Sequence, residues 1–89
     1  MNKLLISYDL LKPNKDYQKL YDYLKSFSKW AKPLESLWIV LTDKAYDKVC
    51  DELKQHVDDN DKLFVVDVID DSMAWSNLPE KVSQWLKDN

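Results

Sequence analysis

The chain contains no glycine and no arginine, and it has one cysteine and one histidine. Each absence removes a class of chemistry. Walker A loops and dinucleotide fingerprints need glycine for close backbone approach to phosphate, so both are excluded. Turns must be built from Asn, Asp, Ser, Pro or Lys where other chains place glycine at positive φ. Without arginine, all thirteen basic residues are lysines, and bidentate recognition of phosphate or guanine has no guanidinium fork to use. The lone Cys50 cannot close an intramolecular disulfide or build a zinc cage, which fits a reducing compartment and a cytoplasmic location. His56 has no second histidine, and no Ser or Cys stands at a recognisable spacing from it, so a catalytic triad is unsupported. No apolar run approaches the length of a membrane span, and Leu4 to Ile6 is too short for a signal-peptide core, so no membrane partner is expected.

What is present suits one small domain over residues 1–89, with 70–89 as a C-terminal extension. The 45% hydrophobic and 12% aromatic content supplies a packed core, and a net charge of −3 gives no general pull toward nucleic acid. A chain this short buries only about 60 to 65% of its unfolded surface, so a second subunit would add stability. Residues 3 to 10 alternate poorly but are rich in Leu, Ile and Tyr and suit a central strand buried on both faces. From Asp16 to about Phe27, Tyr17, Leu20, Tyr21, Leu24 and Phe27 recur at steps of three and four, which predicts a helix. Pro33 forces an extended segment, and Leu37 to Leu41 reads as a buried strand; two short strands fit between Trp30 and Thr42 only with a tight hairpin. Thr42-Asp43 offers an N-cap for a second helix running to about His56, which Tyr46, Val49, Cys50, Leu53 and Val57 would anchor. Leu63 to Ile69 is the clearest strand, and Pro79 begins a short terminal helix carrying Val82, Trp85 and Leu86.

This order predicts an α+β fold: a ferredoxin-like βαββαβ antiparallel sheet with two helices on one face and a short C-terminal helix. A flavodoxin-like parallel sheet is the alternative. In the ferredoxin-like layout one sheet face lacks helices, and either the terminal helix or a second subunit must cover it.

Asp9 stands at the carboxyl end of the first strand, where it either binds a metal or caps the following Pro-containing turn near Leu11 or Lys12. Tyr8 reads as packing. Lys12, Lys15, Lys19, Lys25, Lys29 and Lys32 make the first third locally basic, although Asp16 and Asp22 interrupt that ridge. Asp58, Asp59 and Asp61 lack the glycine and the terminal Glu of an EF-hand and read as a helix stop. Cys50 reads as core. Trp30, Trp38, Trp75 and Trp85 could stack bases, but Trp38 lies in an apolar strand, and Trp75 and Trp85 are placed to seal the open sheet face or grip a partner.

A first strand ending in Tyr8-Asp9, a helix rich in Leu and Tyr, a compressed strand pair and the strand Leu63 to Val68 together resemble the small subunit of the CRISPR adaptation complex, the Cas-two family. The pattern Leu34-x-Ser36-x-Trp38, the run Asn60 to Val65 and the pair Ala74-Trp75 are similar to short bacterial and phage proteins related to that family. The resemblance implies a homodimer whose two Asp9 carboxylates face each other and hold Mg²⁺ or Mn²⁺, the arrangement of a metal-dependent nuclease or of an architectural subunit associated with nucleic acid. Lys12, Lys15 and Lys19 would then meet phosphate. Missing arginines and the acidic balance depart from the better-known members. They favour the alternative of a noncatalytic protein–protein interaction module that docks on another protein subunit; a toxin-type ribonuclease of the virulence-associated class is a third possibility.

Overall fold

A computed structural model describes residues 1–12 and 16–89. The elements follow as β1 (Asn2–Asp9), α1 (Gln18–Lys25), β2 (Lys29–Leu34), β3 (Leu37–Thr42), α2 (Tyr46–Lys54), β4 (Lys62–Asp67) and α3 (Glu80–Asp88). The four strands form one open antiparallel sheet in the order β2-β3-β1-β4. The fold is therefore α+β, and the parallel alternative is excluded by the antiparallel pairing of every neighbour. The Pro-containing turn expected after β1 lies outside the described residues.

Alternation along β1 divides the sheet into two faces. Leu4, Ile6 and Tyr8 point toward α1 and α2 and are buried there with Tyr17, Leu20, Leu24, Trp38, Val40, Val49 and Leu53. The threefold and fourfold spacing of the helical apolar residues is what brings them to this one layer. Trp38 is 1% exposed, and its indole N–H donates to the Tyr8 hydroxyl at 3.0 Å. That bond satisfies the one polar atom a buried tryptophan carries. Burial pushes the Tyr8 phenol above its ordinary pKa despite the Trp38 N–H, so the ring stays neutral and packs as expected.

The opposite face is crossed by two rows of side chains. Val66, Leu5, Ile39 and Ala31 are successive cross-strand partners from β4 to β2. Phe64, Ser7, Leu37 and Leu34 form the parallel row one step along. The segment after β4 turns at Asp70, whose φ is 64°, and returns across this face before α3 packs against β2. Ile39, Val68 and Leu86 are buried beneath it. The terminal extension thus covers part of the face that has no helices of the main layer.

Element boundaries moved where local chemistry outweighed the apolar pattern. α1 spans eight residues rather than reaching Phe27, because the Ser26 hydroxyl and N–H both turn back to the Tyr23 carbonyl. Thr42 does not cap α2: its Oγ1 accepts from Lys44 N–H at 3.1 Å, and the helix starts at Tyr46 after Ala45 with no side-chain cap. The hairpin joining β2 to β3 is as tight as the spacing required, with only Glu35 and Ser36 between the strands.

Candidate functional site

Asp9 ends β1, is exposed, and has Lys62 of β4 as its direct cross-strand partner. It lies in a shallow depression with Ser7, Tyr8, Lys62, Leu63 and Phe64. No hydrogen bond or ion pair to another described residue engages its carboxylate. Within one chain these residues do not fit a divalent-cation site, because a single carboxylate and a hydroxyl stand opposite an ammonium group that repels the ion. Among the described residues, no three His, Cys, Asp or Glu side chains converge as metal ligands.

The carboxylate that secures the chain after β1 is Asp61, fifty residues away in sequence. Its Oδ1 accepts the Leu11 N–H at 2.9 Å and the Tyr17 hydroxyl at 3.1 Å, while Oδ2 accepts the Asp58 N–H at 2.9 Å. Burial alone would raise its pKa, yet these three donors outweigh it and hold the carboxyl below the ordinary range. The expected cap by Asp9 is thus supplied from the α2–β4 turn. The same turn engages Lys12, whose Nζ lies 3.0 Å from Asp58 Oδ2. Lys19 is exposed at the start of α1 beside Asp16, Gln55 and His56. Lys15 lies outside the described residues. The structure therefore ties Lys12 to an acidic turn and leaves Lys19 at a mixed polar surface, and it gathers neither beside Asp9.

A second polar cluster joins the helices. Glu52 Oε1 accepts both the Tyr23 hydroxyl and the Lys44 ammonium at 2.8 Å, and Lys48 Nζ stands 3.7 Å from Oε2. Lys44 above all, then Tyr23, draws the Glu52 carboxyl below its usual pKa, and burial beside that carboxylate raises the Tyr23 phenol. His56 stacks on Tyr23 with ring centroids 5.1 Å apart, at the end of α2 as its position in the sequence suggested. Cys50 is half-buried rather than a full member of the core.

A concavity of about 800 Å³ opens on the outer sheet face between the strands and the C-terminal segment. Leu34, Leu37 and Ile39 form its floor, Met73 and Trp75 its wall. Leu34 remains 58% exposed at its mouth. The Trp75 indole N–H donates to Ser83 Oγ at 3.0 Å, which fixes the wall to α3. Among the described residues, Asp71 is the only charged one lining the groove. Sequence reading placed Trp75 over this face but missed the groove itself, whose lining comes from segments up to about eighty residues apart and leaves no contiguous motif.

No family model matches the chain, and no solved structure matches it. No helix among the described residues is long and apolar enough to cross a membrane.

Proposed function

We propose that this chain is a ferredoxin-like module of the Cas-two type that acts by binding another protein, with no catalytic step of its own. The βαββαβ order and the strand order β2-β3-β1-β4 support the fold class. The observation that carries the functional reading is the apolar groove of about 800 Å³ on the outer sheet face. Its size and lining suit an inserted apolar side chain or short segment, and the flexible thioether of Met73 allows the wall to adapt. The carboxylate of Asp71 in the lining selects an occupant that carries Lys or Arg next to its apolar anchor.

A display selection of short peptides on the purified chain tests this reading. Enriched sequences should combine a large apolar residue with an adjacent Lys or Arg. Their binding, followed by fluorescence anisotropy, should weaken at least about tenfold in Leu34→Asp, since one anchor contact is worth over 1 kcal/mol. Asp71→Lys should shift the preference toward acidic neighbours. Failure to enrich any such class, or binding indifferent to Leu34→Asp, contradicts the proposal.

A second reading rests on the exposure and lack of partners of Asp9. In it, two copies of the chain bring their Asp9 carboxylates to one Mg²⁺ or Mn²⁺ ion, as the Cas-two resemblance implies, and Lys12, Lys15 or Lys19 meets nucleic-acid phosphate. Metal-dependent cleavage of RNA or DNA by purified protein, abolished by Asp9→Ala, would support it. Cleavage unchanged by that substitution would remove it.

A further inference from the structure

An edge strand exposes unpaired N–H and C=O groups, which proteins blunt with proline, bulges or a covering element. β2 contains Pro33, shifts register between Ala31 and Leu34, and has α3 packed against it. β4, the other edge, has neither proline nor register shift. Its free main-chain groups can be assigned, because antiparallel strands exchange hydrogen bonds at every second residue pair. Val68 N–H donates to the Lys3 carbonyl at 2.7 Å, and on the far side of β1 Tyr8 N–H donates to the Ser36 carbonyl at 3.2 Å. With the two registers of β1, both bonds give Lys62, Phe64 and Val66 to the ladder with β1 and turn the main-chain groups of Leu63, Val65 and Asp67 outward.

The side chains of these three residues lie on the helical side of the sheet, level with Tyr8, Ile6 and Leu4. Phe64 points to the opposite side and is 63% exposed. Next to Leu63 a cleft of about 250 Å³ opens between the strand and α2. Cys50, Val57 and Leu63 give it apolar walls, and Asp58, Asp59 and Asp61 outnumber Lys54 around it. Lys54 Nζ is itself drawn to Asp51 Oδ1, 3.6 Å away. A strand added to β4 directs the side chain opposite Leu63 into this cleft, because directly paired residues share a face.

We propose that the β4 edge receives an extended segment of another protein as a fifth strand, antiparallel like every other neighbour in the sheet, with a Lys or Arg of that segment in the cleft beside Leu63. The N–H and C=O groups of Leu63, Val65 and Asp67 supply the ladder, and side chains supply the selection. Of the five positions running from opposite Asp67 to opposite Leu63, the first and fifth meet Asp67 and the acidic cleft and suit Lys or Arg. The third meets Val65 and suits a β-branched residue, and the fourth meets Phe64 and suits an aromatic ring. A second copy of β4 does not supply this pattern. Antiparallel registers centred on Leu63 or Phe64 set Asp67 level with Asp59 or Asp61, and the register centred on Val65 sets it opposite Leu63. Charge therefore selects a different, basic strand. The site is separate from the outer-face groove, which lies toward β2 and β3, and does not depend on what the groove binds.

The probe is an acetylated and amidated peptide with Lys-Thr-Val-Phe-Lys at its centre, titrated into the isotope-labelled full chain and followed by NMR. It should bind with a Kd below about 1 mM. Hydrogen exchange at the N–H groups of Leu63, Val65 and Asp67 should slow, while that at Lys62, Phe64 and Val66 stays as it was. Methylating the backbone nitrogen of the peptide's valine removes one ladder donor without touching the protein and should weaken binding at least about tenfold. Exchanging both peptide lysines for Glu, or Phe64→Asp in the chain, should do the same, and Leu34→Asp should change nothing. No binding at about 1 mM peptide overturns the proposal. So does binding that survives the N-methylation, or that is lost in Leu34→Asp, which would put the peptide in the groove. Protection of Leu63, Val65 and Asp67 in the free chain that disappears on dilution would give the edge to a second copy and overturn it as well.

Discussion

Asp61 shows how one side chain can anchor three segments. Its carboxylate joins Leu11, Tyr17 and Asp58, and replacing it with alanine leaves the Leu11 and Asp58 N–H groups without their partner. Such a loss costs about 1–3 kcal/mol, measurable by urea unfolding monitored through tryptophan fluorescence. The pH dependence follows from the lowered carboxyl pKa. A group with a folded pKa below its unfolded value, about 3.9 for Asp, stabilises the fold above that value and loses the contribution as pH falls through the folded pKa. Glu52 acts in the same direction. Stability should therefore hold from pH 7 to about 4 and fall below it, and Asp61→Asn should lose less on acidification than the wild-type chain. In β1, Tyr8→Phe leaves the Trp38 indole N–H with no acceptor and should cost about 1–3 kcal/mol in the same assay. Asp9→Ala should change stability by no more than about 0.5 kcal/mol, because no described side chain depends on it. Tyr8 was legible as packing because a tyrosine in a short apolar strand more often packs than reacts. Asp61 was not, because its work as a hydrogen-bond acceptor depends on Leu11, which no local pattern links to it.

Among the elements, helices were legible wherever a period of three to four ran for several residues, and strands where apolar, β-branched and aromatic residues ran together. Their ends were not, since Ser26 and Thr42 make short-range bonds that stop or delay a helix without changing the apolar pattern. The C-terminal extension shows the same division. Its helix was readable from Pro79, Val82 and Leu86, while the path from Asp70 to Asn77 depends on two residues at positive φ that a chain without glycine must take from Asp and Asn. This extension stabilises the molecule by covering the outer face. Leu86→Ala, which removes its buried apolar anchor, should destabilise the fold by about 2 kcal/mol or more in urea unfolding. A smaller effect would mean that the strap contributes little beyond its own order.

At the scale of the whole molecule, the two outer-face rows have different fates. In the row containing Ile39, Ile39 and Ala31 are buried and Leu5 and Val66 half-buried, whereas the row containing Phe64 and Leu34 stays open at both ends. One open end leaves Phe64 exposed on β4, and the other opens into the apolar groove. Chemistry at Asp9 has no comparable support within the chain, because Lys62 stands opposite the carboxylate. The decisive measurement is the affinity of a peptide selected on the wild-type chain, determined side by side for Leu34→Asp and Asp9→Ala. Binding through the groove predicts a loss of at least about tenfold in Leu34→Asp and none in Asp9→Ala; the reverse pattern, with Leu34→Asp silent and Asp9→Ala deficient, would contradict the account.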